Sequence, residues 1–266
     1  MLAEGDTVRF YVKEEFFESD AADNAFKQLT PHIDVIYEDE NILLCDKRPG
    51  LIVHSDEAEN INTLISHIHA YLYRNGEYDP DKEQSFAPAL CNRIDRNTGG
   101  IVIAAKNAEA LRLLNEAIKE RTLEKQYLCA VHGILREKKG RLTGYLTKDS
   151  TTNMVKVYDK KPHNGAKSII TEYRVLKEKG ELTLAEVNLI TGRTHQIRAH
   201  FSHIGHPLLG DGKYGVNAAD RRRGYKYQAL YSYKLTFDFP EGNPLAYLNG
   251  RTFRVPDEKI WFLKEF

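Results

Sequence analysis

The order of strand-like and helix-like segments constrains the fold of this chain more than any other feature of its sequence. Short apolar and β-branched runs predict strands at residues 34–38, 41–46, 101–105, 127–131, 141–146, 168–176, 182–190 and 231–239. Helical spacing is confined to residues 62–73, a segment after residue 107, and residues 194–203. Many strands and few helices in mixed order predict an α+β fold with a largely antiparallel sheet.

Capping residues and apolar stripes predict where these helices begin and which face they bury. Asn62 is expected to cap the first helix, with Ile61 and Ile68 on its buried face. Asn107 is expected to cap the second helix. Ahead of these segments, residues 7–12 resemble a strand and residues 14–23 a polar linker.

The composition narrows the class of protein. No apolar stretch approaches the ~20 residues that span a bilayer, and the N-terminus lacks the basic and apolar regions of a signal peptide. The three cysteines are far apart, fit reduced thiols and offer no zinc spacing. We therefore expect a cytoplasmic protein with no membrane association and no metal.

The run at residues 92–100 (Asn-Arg-Ile-Asp-Arg-Asn-Thr-Gly-Gly) places the carboxylate of Asp95 near Arg93 and Arg96 and ahead of a Gly-Gly turn. A neighbouring guanidinium holds a carboxylate ionised, as a nucleophile or base requires. The glycines would let the backbone approach a bulky ligand. A surface ion-pair cluster worth ~0–1 kcal/mol is the alternative, and this run alone favours neither interpretation.

A second cluster lies in the short predicted helix at residues 194–203. His195, Arg198 and Ser202 follow the spacing i, i+3 and i+7, and Arg193 stands at the helix N-terminus, where an anion is favoured. A phosphate or the carboxylate of Asp95 would suit this face. The alternative is an amphipathic surface helix with a basic outer face.

The formal net charge is zero, which argues weakly against indiscriminate binding to nucleic acid. Basic residues nevertheless cluster at residues 136–141, 156–167 and 221–226. The last cluster interleaves cations and aromatic rings, as phosphate contact with base stacking would need: Arg221, Arg222, Arg223, Tyr225, Lys226 and Tyr227. For any single cluster, a solvated loop is the favoured alternative.

Four motifs in order resemble those of the RluA-type pseudouridine synthases. Residues 92–100 resemble the catalytic motif, usually His-Arg-Leu-Asp-Arg-Asp-Thr-Ser-Gly, and residues 125–133 resemble the Lys-x-Tyr-x-Ala-x-Val-x-Gly strand. Residues 193–215 resemble the Arg-x-His-Gln-Ile-Arg-x-His helix and its glycine-rich loop, and residues 39–54 the Lys-x-Pro-Gly segment. Asn92, Asn97 and Gly99 depart from the usual residues of the catalytic motif.

The resemblance implies a pseudouridine synthase fold, a mostly antiparallel mixed sheet flanked by short helices, with a central cleft. It implies a catalytic domain at residues 24–266 and, at residues 1–23, a remnant of an N-terminal RNA-binding module plus linker. The implied activity is isomerisation of specific uridines in structured RNA, without cofactor or metal, by a monomer. Large-subunit (23S) ribosomal RNA is the favoured target. Transfer RNA and a catalytically silent RNA-binding paralogue remain alternatives, whereas a glycoside hydrolase would need a second carboxylate.

The resemblance also assigns roles to residues. Asp95 would attack the sugar or remove a proton from the neighbouring carbon, and Arg198 would pair with it. Tyr127 would stack on the target uracil and assist proton removal at carbon 5, although its position on a strand also fits ordinary core. The RNA-binding residues expected are Arg93, Arg96, Arg193, His195, Gln196, Arg221, Arg222, Arg223 and Lys226. Three of these residues, Arg193, His195 and Gln196, are expected to bind phosphates or to order the loop.

Overall fold

The computed structural model describes residues 24–266 apart from 56–60, 84, 150, 151, 153 and 216. The expectations for residues 1–23, a module remnant and linker, lie outside the described residues. Helices of the described part are all too short or too polar to cross a bilayer.

Eleven strands of the described part form one sheet. They are β1 (Asp34–Glu38), β2 (Ile42–Lys47), β3 (Ala89–Leu90), β4 (Gly99–Ala105), β5 (Leu123–His132), β6 (Lys139–Lys148), β7 (Val155–Tyr158), β8 (Lys167–Lys179), β9 (Leu182–Leu189), β10 (Leu230–Phe237) and β11 (Thr252–Arg254). The order across the sheet is β1-β2-β4-β10-β5-β9-β8-β6-β7, with β3 paired to β4 and β11 to β10. Strands β4 and β10 run parallel, whereas the other described pairs are antiparallel. The predicted α+β class with a largely antiparallel sheet is confirmed.

Four α-helices accompany the sheet in the described part: α1 (Leu64–Arg74), α2 (Ala108–Glu120), α3 (Gln196–His203) and α4 (Asn217–Arg222). Short 3-10 turns lie at Ala25–Gln28, Ala246–Leu248, Asp257–Lys259 and Leu263–Glu265. Asn107 caps α2 as predicted, because its side chain accepts a hydrogen bond from the Ala110 N–H. The sequence did not predict α4, β3, β7 or β11, which are short and lack a clear period.

The start of α1 differs from the prediction. Thr63, and not Asn62, is the N-cap, because its hydroxyl accepts from the Ser66 N–H. The Asn62 carboxamide oxygen is hydrogen bonded to the His67 ring instead. Ile61 therefore precedes the helix and is exposed, whereas the predicted stripe had placed it on the buried face.

The two faces of the sheet bury different helices. Alternate residues of β2, such as Leu44 and Leu43, contribute to two separate clusters, one packed on α2 and the other on α1. Helix α3 packs on β5 and β9 through Ile197 and Phe201. Ile94 contacts both the α1 cluster and the α3 cluster, so the loop at residues 92–98 lies between them.

The predicted Gly-Gly turn is wrong. Gly99 and Gly100 begin β4 and are buried. A Cβ on Gly99 would overlap the Tyr231 ring, and one on Gly100, which has φ +116°, would overlap the backbone of Ser232. These glycines therefore permit close pairing of β4 with β10, and the backbone they bring together belongs to the protein and not to a ligand.

Candidate active site

Asp95 lies in the loop before β4, at a large cleft. The loop is tightened by a hydrogen bond from the Thr98 N–H to the Asp95 carbonyl (3.0 Å). The cleft has a volume of about 1010 Å³ and is lined by residues of the loop, of β5 and of the segment leading into α3. The Asp95 side chain is 25% exposed, so a ligand in the cleft can reach its carboxylate.

The cation that holds Asp95 is Arg198 of α3, 103 residues away in sequence. Arg198 Nη1 donates to Asp95 Oδ2 at 2.7 Å. Arg93 and Arg96, which the motif suggested as stabilising neighbours, are exposed and line the cleft. The ion pair expected between Arg198 and Asp95 is present.

Asp211 is a fully buried second acid beside Arg198, and it was missed as a site residue. Its Oδ2 accepts from Arg198 Nε (2.8 Å) and its Oδ1 from Arg198 Nη2 (2.9 Å), a bidentate pair. Burial opposes the charge on Asp211, but the hydrogen bonds and the charge of Arg198 hold its pKa below the ordinary value. Burial also opposes the charge of Arg198, and the two acids together raise its pKa. The Gly-Asp step in a glycine-rich loop was the available signal.

Helix α3 is not an amphipathic surface helix. Arg198 and His200 are buried, and the loop at residues 208–215 covers the face predicted to point outward. Ser202 donates to the carbonyl of Tyr214 in that loop. Because Asp211 and Thr171 satisfy the polar groups of Arg198 and His200, this short helix can be buried almost all round.

The direct phosphate contact expected of Gln196 is not compatible with its position. Gln196 is 2% exposed and donates to the carbonyl of Ile170 and the hydroxyl of Thr171. Its carboxamide oxygen accepts from Thr191 Oγ1 and the Arg193 N–H. The other expectation for Gln196, that it orders the loop, agrees with these hydrogen bonds.

His195 lies just outside α3, in the left-handed region at φ 54°, and faces Asp95. Its Nδ1 is hydrogen bonded to the Tyr214 hydroxyl (2.9 Å), and its Nε2 lies 3.8 Å from Asp95 Oδ2. Burial lowers the pKa of His195, the Asp95 charge opposes that effect, and the Arg198 charge adds to it. His195 thus stands beside the carboxylate, whereas Arg193 is exposed at the cleft wall.

Tyr127 lines the cleft on β5 and also belongs to the core. It is 7% exposed and packs with the cluster around α3, so it has the position of a core residue at the cleft wall, and stacking on a base stays a prediction. Burial raises the pKa of Tyr127 to about 12, with Ser232 opposing that effect and the charge of Asp95 adding to it. The phenol therefore stays protonated near neutral pH, which disfavours its expected part in removing a proton.

Lys47 supports the loop that contains Asp95, and no local pattern predicted this contact. Its buried ammonium donates to the carbonyls of Arg48 (3.1 Å), Leu51 (2.7 Å) and Arg96 (2.9 Å). The Gly50 N–H donates to the same Arg96 carbonyl. Burial lowers the pKa of Lys47 to about 7, against the opposing charges of Asp95 and Asp46. These contacts join the loop at residues 48–51 to the loop at residues 92–98.

Exposed cations lie at the cleft and on a separate surface. Lys148 and Lys213, which the sequence analysis did not select, line the cleft near Arg193. Residues 221–223 and Lys226 are exposed and lie outside the residues that line the cleft. A smaller cavity of about 280 Å³ is lined by Arg223, Tyr225, Lys226, Tyr227, Trp261 and Lys264.

No group of three or more His, Cys, Asp or Glu side chains in the described residues is arranged to hold a metal ion. The three cysteines are free thiols.

Comparison with known proteins identifies one family. The family model described as RNA pseudouridylate synthase matches residues 41–203. An uncharacterized RNA pseudouridine synthase of Mycoplasma genitalium is 37% identical over 86% of this chain and 71% of its own length. Ribosomal large subunit pseudouridine synthase D of Borreliella burgdorferi is 28% identical over 95% of this chain and 74% of its own length. The alignments leave more than a quarter of each relative unmatched.

Among solved structures, the human RNA pseudouridylate synthase domain containing 1 superposes with a TM-score of 0.63. The superposition covers 89% of this chain and 98% of that chain at 19% sequence identity. At that identity the likeness shows the fold, and the predicted fold is confirmed.

Proposed function

The chain belongs to the RNA pseudouridylate synthase family, and from that premise we propose that it converts specific uridines of large-subunit (23S) ribosomal RNA to pseudouridine. One observation carries the proposal. A carboxylate, Asp95, is paired with a buried arginine at a cleft that is open to solvent and also lined by Tyr127. An acid at an anomeric carbon and an aromatic surface for a base are the two parts that this reaction needs.

The reaction is an isomerisation. The bond between N1 of uracil and C1′ of ribose breaks, and a bond between C5 and C1′ forms. C5 loses its proton and N1 ends with one, so atoms and electrons balance without a co-reactant. The protein must activate the sugar, retain the detached uracil and move one proton.

Asp95 is suited to the first task. Arg198 donates a hydrogen bond to one oxygen of the Asp95 carboxylate and leaves the other oxygen free of that contact. An ionised carboxylate can attack C1′ as a nucleophile or take the proton from C2′ as a base, and both routes use the same position.

Tyr127 is suited to the second task. Its ring lines the same cleft and its phenol stays protonated, so it offers a stacking face and a hydrogen-bond donor and no free base. Asp95 therefore also becomes the candidate acceptor for the C5 proton in the last step.

The cleft can admit a nucleotide that has left its helix. Extracting a base costs a few kcal/mol, which contacts with the RNA backbone must offset. Arg93, Arg193, Lys148 and Lys213 line the cleft and are exposed, so they are placed to bind flanking phosphates. Binding through such contacts weakens as salt concentration rises.

The ribosomal target is supported by the name of the Borreliella burgdorferi relative, and transfer RNA is the second candidate. A silent RNA-binding paralogue is disfavoured because the acid, its arginine and the tyrosine are assembled at one cleft. A glycoside hydrolase is disfavoured because the nearby Asp211 is fully buried and bound to Arg198, so it cannot face Asp95 across a bond.

Mapping pseudouridines in all cellular RNA tests the proposal. The gene is deleted, pseudouridines are located by carbodiimide chemistry, and the strain is complemented with wild type or with Asp95→Asn. We expect one or a few sites in 23S RNA to disappear and to return with wild type alone. Sites in transfer RNA would favour the second candidate, and restoration by Asp95→Asn would contradict the assigned role of the acid.

A further inference from the structure

Part of the cleft lining takes no part in the chemistry described above. It consists of Cys91, Asn92, Ile118, Arg121, Leu123 and Lys125, and we call this part of the cleft the side pocket. Cys91 and Ile118 pack against the cluster that contains Leu123, so these three residues form an apolar wall beside the polar side chains. Lys125 precedes Tyr127 by two residues on the same face of β5, which sets the two about 7 Å apart along the strand.

Lys125 is a half-buried cation at the cleft. Its ammonium makes no hydrogen bond or ion pair with any residue that the structure describes, and burial lowers its pKa. The buried Lys47 differs, because three carbonyl oxygens satisfy its ammonium. A charge that is buried without a partner destabilises a protein, so a ligand group is the natural partner for Lys125.

Asn92 supplies a second unsatisfied donor. It is 9% exposed, and its Oδ1 accepts from the Ile103 N–H at 2.8 Å, which fixes the orientation of the carboxamide. Its Nδ2 is buried and has no partner in the described part of the chain. A buried amide of this kind costs ~1–3 kcal/mol unless an acceptor reaches it.

The chemistry of the side pocket therefore selects an acceptor. Lys125 and Asn92 both donate, and the Cys91 thiol stays protonated because burial raises its pKa to about 12. Guanine presents two neighbouring acceptors, O6 and N7, on one edge. Uracil presents one carbonyl there, whereas adenine and cytosine present an amino group that meets donors unfavourably.

We propose that the side pocket binds a guanine that neighbours the target uridine in the RNA, with Lys125 and Asn92 donating hydrogen bonds to its O6/N7 edge. Arg121 stands at the rim as the C-cap of α2, exposed and with φ 63°, where it can contact the phosphate of that nucleotide. The inference rests on the proposed function and extends it to sequence selection. Adjacent nucleotides would then be read by adjacent parts of one cleft.

The test uses an RNA fragment that carries the mapped uridine, prepared with each of the four bases at every flanking position in turn. We measure kcat/KM for wild type, Lys125→Met and the control Lys119→Met, which changes an exposed lysine of α2 outside the cleft. Wild type and the control are expected to prefer guanine at one position by about tenfold or more, followed by uracil. Lys125→Met is expected to lose most of that preference.

Thermal unfolding supplies an independent readout. Because Lys125→Met removes an unpaired, half-buried charge, we expect its Tm to equal or exceed that of wild type. A lysine with a merely structural role would instead give a lower Tm. Asn92→Asp retains the acceptor for Ile103 but removes the donor, so it is a second variant that should reduce the guanine preference.

The outcomes separate the two proposals. Equal kcat/KM for all four bases at every flanking position in wild type would overturn the side-pocket inference, and so would an unchanged guanine preference in both variants. Either result leaves the proposed function intact as long as Asp95→Asn abolishes turnover on the same RNA. If wild type and Asp95→Asn are equally inactive on every fragment, the proposed function itself fails.

Discussion

Arg198 is the residue on which the geometry of the site depends. Its guanidinium binds Asp211 through two nitrogens and Asp95 through the third, so one planar group transmits the orientation of a buried acid to the acid in the cleft. An arginine stays protonated at any working pH. The cation that binds both acids is therefore present at every working pH.

We predict that Asp211→Asn lowers kcat by about 100-fold while KM changes little. The asparagine occupies the same volume but loses the negative charge, so Arg198 is held less firmly toward Asp95. Single-turnover rates on the mapped RNA fragment measure the effect. The matched control is Asp257→Asn, which weakens an exposed pair with Arg254. A rise in KM with unchanged kcat would contradict a positioning role.

At the scale of elements, the site depends on a strand that begins immediately after the catalytic loop. Gly100 pairs with Ser232 in the parallel β4–β10 contact, and its positive φ carries the chain from the loop into the sheet. A side chain at this position would separate the two strands. The loop that presents Asp95 would then lose its anchor.

We predict that Gly100→Ala lowers the free energy of unfolding by about 3 kcal/mol or more, because backbone strain adds to overlap with Ser232. The control is Gly76→Ala, which also has a positive φ (+75°) but has open space around the added Cβ, and for which ~1–2 kcal/mol is expected. Urea titration of both variants measures the difference. Equal losses would show that overlap contributes nothing.

Helix α3 contains His200, a buried histidine whose protonation makes the stability of the fold sensitive to acid. Burial lowers the pKa of His200 to about 4, and its Nδ1 lies 3.0 Å from Thr171 Oγ1. The unfolded chain binds this proton below about pH 6.5, whereas the folded chain resists it until about pH 4. Stability contributed by neutral His200 is therefore present above pH 6.5 and is lost as the pH falls toward 4.

We predict that His200→Gln reduces the loss of unfolding free energy between pH 7 and pH 5 by about 2 kcal/mol. Glutamine can retain a hydrogen bond to Thr171 and does not titrate. Burial raises the pKa of Asp46 to about 6, so this residue adds to the free energy of unfolding as the pH falls. The contribution is the same in wild type and in His200→Gln, and it cancels in the comparison. Chemical denaturation at both pH values measures the effect, and parallel pH profiles would refute it.

For the whole molecule, the paired groups of the site and the exposed cations occupy different places. The groups around Asp95 are buried and paired, whereas the cations on α4 and at the cleft walls are exposed. A net charge of zero means that any RNA attraction comes from the placement of these cations and not from their excess.

We predict that Arg222→Ala weakens RNA binding and lowers the slope of log affinity against log salt by about 1, while turnover at saturation is retained. Arg198→Ala is expected to reduce turnover mainly. Filter binding at several salt concentrations and single-turnover rates separate the two effects. The control is Arg112→Ala, on the exposed face of α2. Equal losses of affinity from Arg198→Ala and Arg222→Ala would contradict this division.

Local patterns were sufficient for much of the architecture. Apolar runs located the long strands, and Asn107 located the start of α2, because both depend on neighbours within a few residues. The predicted N-cap of α1 was wrong by one residue. Asn62 and Thr63 are both able to cap, and only contacts with the core decide between them. Short elements such as β7 are defined by their partner strand and have no local signature.

The sequence by itself determined the class of fold, and its motifs indicated Asp95 as the candidate acid and Arg198 as a candidate partner, because these depend on residue type, period and motif. Tertiary structure decided which side of α3 is buried, that Asp211 orients Arg198, and that Gly99 and Gly100 pair strands instead of forming a turn. Lys47 and Lys125 illustrate the physical reason. Two lysines of the same chemistry are satisfied or unsatisfied according to the oxygen atoms that distant segments bring near them, and no local pattern contains that information.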